Sequence, residues 1–340
     1  MQYKNIEVHN VAHLIECENG GVSWLRVPQK IYESMESDQG KRMCHNFTGV
    51  ELRFVMKSDS AVIKLGSLTD KETHINFNVF FGGVQAGWDR FGEGGTLFGK
   101  NFDIAINKPQ NMDSIKKMSV DSGYPWDPEV VRVIINRGVF RIIDVEGDVC
   151  PPEKEQLPEK TILAYGSSIT HASNSLARSN CWTSVLAHNL KADLINLGMA
   201  GSCRMEPELI DYIAEKGEKG DWNIALLELG INVLEWDTDK IRSRVTNAIT
   251  QVALRNPDKK VYVISPFYCR ADYHGDNSAN KWRTTIEEVI RELSYPNVEY
   301  INGLDILGDV SGLSGDEVHP NIYGIQQIAD RMTKRIRGCF

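Results

Sequence analysis

The stretch Thr161-Ile162-Leu163-Ala164-Tyr165-Gly166-Ser167-Ser168-Ile169-Thr170-His171 decides the fold. It begins as a mostly apolar run of strand length and stops at a turn of small residues. A strand that is apolar on both faces belongs in a sheet covered on both sides. Just upstream, Cys150-Pro151-Pro152-Glu153-Lys154-Glu155-Gln156-Leu157-Pro158-Glu159 is Pro-rich and charged, so 151–160 reads as a linker. Downstream, strand-length runs recur at 193–197, 224–229, 260–265 and 298–301. They alternate with amphipathic stretches near 179–190, 206–216, 239–255, 277–294 and 321–337. This alternation predicts an α/β domain over 161–340, with a five-stranded parallel sheet between helical layers.

Residues 1–150 have a different texture. Short β-branched or alternating runs recur at 50–56, 61–65, 75–80, 102–106, 130–135 and 139–145, separated by Gly-rich turns. The link Asn136-Arg137-Gly138 reads as a hairpin, and no helical period of ten residues stands out. The expectation is an all-β accessory domain, a sandwich of the jelly-roll type.

Composition narrows the function. At roughly 100–200 residues per domain, 340 residues suggest two domains. With 41% hydrophobic and 25% charged residues the chain is too apolar for disorder. The net charge of -8 divides evenly about residue 160. Neither half carries a basic excess, which argues against nucleic acid and against an anionic membrane surface as partners. No run approaches the roughly 18 apolar residues of a membrane span, and the first residues lack the pattern of a signal peptide. Seven cysteines without C-x-x-C spacing suggest reduced thiols and a cytoplasmic protein. No phosphate-loop, H-E-x-x-H or dinucleotide fingerprint occurs, so no metal and no cofactor is expected.

In a parallel sheet the chemistry gathers at the carboxyl ends of the strands. Ser168 follows the first strand, as a nucleophile or as part of a Ser-rich helix cap. Asn196-Leu197-Gly198-Met199-Ala200-Gly201-Ser202 follows the second, where Gly201 offers a backbone donor to an oxyanion or simply makes a tight turn. Asn232 follows the third strand, as a side-chain donor or an Asx-turn. In Gly315-Asp316-Glu317-Val318-His319-Pro320 an acid precedes a histidine by three and can orient it. One such pair is weak evidence. Together the four segments supply a nucleophile, oxyanion donors, a base and an orienting acid, the full requirement for acyl transfer.

These residues resemble the GDSL-type, or SGNH, hydrolases. The four blocks are similar to Gly166-Ser167-Ser168-Ile169-Thr170, Asn196-Leu197-Gly198 with Gly201, Gly230-Ile231-Asn232, and Asp316 with His319. The resemblance covers about 160–338 and implies a flavodoxin-like three-layer α/β/α domain. It also implies Ser168 as nucleophile, His319 as base and Asp316 as its partner, with Ser168, Gly201 and Asn232 forming the oxyanion hole. The usual Asp before the nucleophile is Ser167 here, and the usual Asp after the third-block Asn is Val233. Carbohydrate-esterase-like branches with an N-terminal β-domain are the most similar.

The substrate site is less legible. Arg204, Glu206, Arg270 and His171 are candidates for substrate contact. Arg204 and Glu206 have loop pairing as the alternative, and His171 a solvent-facing position at a helix start. The aromatic and polar loop 266–276 is a candidate rim for a sugar, or a plain surface loop. The leading expectation is a serine esterase removing a short acyl group, acetyl first, from a small-molecule or oligosaccharide ester, alone or as a homo-oligomer. Acyl transfer to an acceptor other than water and a silent sugar-binding role are the alternatives.

Overall fold

The Thr161–Gly166 strand lies second in a five-stranded sheet. The strands run in the order Asp193–Gly198, Thr161–Gly166, Ile224–Glu228, Lys260–Ile264 and Val298–Ile301, all parallel. This is the 2-1-3-4-5 order of doubly wound sheets, whose chain direction reverses between the first and third strands. The computed structural model describes residues 1–138 and 140–339. The chain divides into two units: one of residues 1–29, 45–159 and 177–179, the other of 30–44, 160–176 and 180–340.

In the second unit, alternate strand residues serve opposite layers. Ile162, Ala164, Leu226, Tyr262 and Ile264 pack with Trp182 and Leu186 of the Trp182–Asn189 helix and with Ile325, Ile328 and Met332 of Ile322–Ile336. Their neighbours Leu163, Ala225, Leu227, Val261 and Val263 are equally buried. The helices Pro207–Glu218, Thr238–Leu254 and Ser278–Leu293 pack side by side as the other layer. Right-handed crossovers impose this division, because the connections reverse direction across the sheet. Local signals start the helices. Asp237 accepts from the Lys240 N–H at 2.8 Å, and Asn321 accepts from both Tyr323 and Gly324. Residues 30–44, including the short helix Asp38–Cys44, join this unit although they precede it by more than a hundred positions.

Among the described residues the first unit holds two antiparallel sheets, of eight and five strands, on a shared apolar core. Asn101–Asn107 shows the half-buried period, with Phe102, Ile104 and Ile106 inward and the residues between them exposed. Two expectations are corrected here. Val130–Arg137 and Phe140–Glu146 do not form a hairpin. The first pairs with Glu51–Met56 and Thr73–Phe81 in one sheet, and the second with Ser60–Ser67 and Val22–Leu25 in the other. A register shift between Ile135 and Arg137 bends the first strand as it leaves its sheet, while the Asn136 amide stays pinned to Asn78 at 2.7 Å. Residue 139 of the expected run lies outside the described residues. Met112–Ser122 is a helix; it leaves no ten-residue helical period in the sequence because only Met112 and Ile115 anchor it apolarly. It closes on Gly123, whose φ of 59° lets its N–H reach back to Ser119 and Val120.

Candidate active site

The turn after Thr161–Gly166 folds tightly on itself. The His171 N–H donates to the Ser167 carbonyl at 2.9 Å and the Ser173 N–H to the Ser168 carbonyl at 2.9 Å. This leaves the Ser168 hydroxyl at the end of the strand, 7% exposed. His319, in the loop that leads into Ile322–Ile336, reaches it: Nε2 lies 2.7 Å from Ser168 Oγ. Its Nδ1 lies 2.7 Å from Asp316 Oδ2. The Asp316 carboxylate accepts in addition from the N–H groups of His319 (2.8 Å) and Val318 (3.0 Å) and from the Ser314 hydroxyl (2.9 Å). Partial burial pushes its pKa up, but those backbone donors, the imidazole and the hydroxyl outweigh it and hold the carboxyl well below its usual range. Hydroxyl, imidazole and carboxylate thus stand in one hydrogen-bonded line.

The donors expected around Ser168 come from the next two strand ends. Gly201 adopts φ 69°, a left-handed turn open to glycine. Asn232 Oδ1 accepts from the Cys203 N–H at 3.0 Å, which orients the amide and leaves its Nδ2 to donate elsewhere. Among the described residues nothing accepts from the N–H groups of Ser168 and Gly201 or from Asn232 Nδ2. Such donors, pointing at no partner, can stabilise an oxyanion.

Of the remaining candidates, Arg270 is exposed and its N–H donates to the Glu317 carbonyl at 2.7 Å, beside Asp316. Arg204 is half-buried, with its N–H on the Ser202 carbonyl. His171 is 3% exposed and packs under the turn, where a Cβ on Gly198 would come within 2.4 Å of its nitrogen; it does not face solvent. Glu206 is 1% exposed, and among the described residues neither carboxylate oxygen has a hydrogen-bond partner. Burial pushes its pKa up to about 7. No hydrogen bond or ion pair among the described residues joins it to Ser168, Asp316 or His319.

Sequence reasoning missed a second buried carboxylate. Glu228, at the end of the third strand, accepts from the Ser167 N–H (2.7 Å), the Ser167 hydroxyl (2.7 Å) and the Thr170 hydroxyl (3.1 Å). It clamps the turn that presents Ser168, and burial pushes its pKa up to about 7 despite those donors. The signal was in view: a lone Glu closes the otherwise apolar run Ile224-Ala225-Leu226-Leu227. Asn174 was missed as well. It donates to Ser314 at 2.9 Å and supports the hydroxyl that holds Asp316.

Comparison with known proteins gives the family and the fold. The GDSL-like Lipase/Acylhydrolase family matches residues 159–337, more than half of the chain. The chain belongs to that family. No curated protein matches it. Solved structures of similar fold include a salicylyl-acyltransferase, SsfX3, from a tetracycline biosynthetic pathway, at 14% identity and TM-score 0.75, covering 98% of this chain and 95% of that one. A GDSL-like lipase from Bacteroides ovatus matches at 16% identity and TM-score 0.69, covering 98% and 97%. A family two carbohydrate esterase from Clostridium thermocellum, solved with cellohexaose, matches at 16% identity and TM-score 0.57, covering 85% and 91%. At these identities the GDSL-like chain shares the fold of its neighbours, and its chemistry rests on its own residues.

Proposed function

We propose that this GDSL-like protein is a serine esterase that removes short acyl groups, acetyl foremost, from a carbohydrate. The observation that carries the reading is His319, 2.7 Å from Ser168 Oγ on one side and 2.7 Å from Asp316 on the other. In this mechanism His319 Nε2 takes the hydroxyl proton as Ser168 Oγ attacks the ester carbonyl. The developing O⁻ is met by the N–H groups of Ser168 and Gly201 and by the Asn232 amide. His319 then passes its proton to the leaving sugar oxygen, and water releases the acyl group by the same steps in reverse. Asp316, ionised across the working range, stabilises the imidazolium and keeps Nε2 facing the serine.

A sugar leaving group is supported by Tyr273, from the loop expected to form the rim. A hollow of about 270 Å³ beside Asp316 is lined by Tyr273, Val310, Leu313, Ser314, Gly315 and Glu317. An aromatic ring beside two aliphatic side chains, with a hydroxyl and a carboxylate at hand, suits the mixed faces of a pyranose. Six free cysteines among the described residues support a reducing, cytoplasmic setting. No helix among the described residues is long and apolar enough to cross a membrane. The fold shared with an acyltransferase favours transfer to an alcohol acceptor as the second reading.

The test is turnover of p-nitrophenyl acetate, butyrate and octanoate, followed by a panel of acetylated sugars with and without alcohol acceptors. Acetate should be preferred, and Ser168→Ala or His319→Ala should abolish turnover. Loss of one oxyanion donor in Asn232→Ala should cost roughly 10²–10³ in kcat. A fully active Ser168→Ala protein refutes the reading, and product formed only with an acceptor shifts it to acyl transfer.

A further inference from the structure

A peptide group is planar and trans, so its C=O and N–H point in opposite directions and are oriented together. The Gly201 N–H therefore takes its aim from the Ala200 carbonyl. That carbonyl accepts a hydrogen bond, at 2.8 Å, from the side-chain amide of Gln39. Gln39 lies in the Asp38–Cys44 helix, outside the 159–337 region that matches the family. Its Oε1 in turn accepts from Arg42, from Nε at 3.2 Å and Nη2 at 2.5 Å. The Gln39 side chain also lies against Gly201, with Cγ 3.5 Å from where a Cβ would sit. A neighbouring contact holds the same segment: Ser37 Oγ and Ser202 Oγ are 2.9 Å apart, and the Gly40 N–H donates to Ser37 at 3.0 Å. Gly40 is needed for that approach, because a Cβ there would come within 2.9 Å of Ser202 Oγ.

We propose that Gln39 and Arg42 are positioning residues for the oxyanion hole, forming a relay from guanidinium through amide to the Ala200–Gly201 peptide. This rests on the serine-esterase reading and deepens it. Each hydrogen bond in the chain draws electron density toward Arg42, so the Gly201 N–H becomes a stronger donor as well as a better aimed one. The relay touches neither substrate nor the reacting atoms. Its contribution grows as negative charge develops on the carbonyl oxygen, which places it on kcat rather than KM.

Gln39→Ala, Gln39→Glu, Arg42→Ala and Ser37→Ala in the full chain test the proposal, with p-nitrophenyl acetate kinetics and inactivation by an aryl phosphonate, whose adduct places an anionic oxygen in the hole. Removing the orienting bond should cost part of one donor's worth, about 10–100-fold in kcat for Gln39→Ala, with KM nearly unchanged. Gln39→Glu, which keeps the shape and turns an oxygen on the Ala200 carbonyl, should be at least as impaired. Arg42→Ala should fall between Gln39→Ala and wild type, and Ser37→Ala, which loosens the same segment and leaves the relay bonds in place, should lose less than Gln39→Ala. Phosphonate inactivation rates should fall in step with kcat across the series. Wild-type kcat in both Gln39 variants, or a loss of kcat with unchanged inactivation, overturns the relay. If the variants unfold instead, Arg42→Ala, an exposed change, decides: no effect on either rate overturns it. An active Ser168→Ala protein would overturn the esterase reading itself, a separate outcome.

Discussion

Among the described residues two glutamates are buried in the second unit, and their surroundings give them different roles. Glu228 concentrates three donors on one oxygen and so ties the third strand to the turn carrying Ser168. Glu206 has no such company. A carboxyl raised by burial from 4.5 to about 7 favours the neutral form in the folded protein. Its folded-state pKa lies above the unfolded one, so the associated stability is fully present below about pH 4.5 and is lost as the pH rises through about 7. Glu206→Gln removes the ionisation. Its stability relative to wild type should be near level at pH 5 and should climb by pH 8 toward the order of 3 kcal/mol, the equivalent of the shift. Urea unfolding at the two pH values measures it, and a pH-independent difference would show that Glu206 is not the buried acid described.

At the scale of the element, the strand ends present the proposed oxyanion donors and nucleophile, and their glycines are constrained. Gly230 has φ 111°, and a Cβ on it would lie 2.9 Å from the Trp282 ring and from Pro266. Gly230→Ala should destabilise by about 1–3 kcal/mol through backbone strain and displace Asn232 two residues on. Thermal unfolding and kcat should fall together, and an unchanged melting temperature would refute the strain. The five parallel strands were legible in the sequence because strands buried on both faces leave unbroken apolar runs that few other structures share. The path from Val130–Arg137 to Phe140–Glu146 was not. Two β-branched runs joined by a short polar link look alike whether they pair or part, and the choice is made by partners such as Thr73–Phe81, far off in sequence. The blocks around Ser168, Gly201 and Asn232 were readable because each combines a strand end with a small or polar residue, and Asp316 with His319 because an acid three before a histidine precedes the last helix. Gln39 was not readable, since nothing about a glutamine in a seven-residue helix announces a carbonyl 161 positions later.

Across the whole molecule, each unit has its own internal ties. In the first, Glu51 accepts from Arg132 at 2.6 and 2.8 Å and from Arg53 at 2.9 Å. The two guanidinium groups lie 4.0 and 4.8 Å from the Trp126 ring centre. Burial would raise the Glu51 carboxyl, but Arg132 and Arg53 outweigh it and hold it well below the usual range. Stability from this group is therefore present above about pH 4.5 and is lost only as the pH falls below it. Glu51→Ala strands two cations in the interior and should destabilise by about 3–5 kcal/mol, measured by urea unfolding at pH 7. Acetate turnover of the folded variant should stay near wild type, and a loss as large as that of Ser168→Ala would contradict the placement of chemistry in the second unit alone.

The early position of Gln39 has a consequence for synthesis. The segment that steadies the oxyanion peptide is made long before the peptide it steadies, with 161 residues between Gln39 and Ala200. At about 5–20 residues per second the nascent segment waits roughly 10–30 s, with Ile31, Met35 and Cys44, buried in the finished protein, still uncovered. During that interval it is a natural client for a chaperone. A ribosome stalled before residue 200 should hold it open to protease, and the finished chain should not.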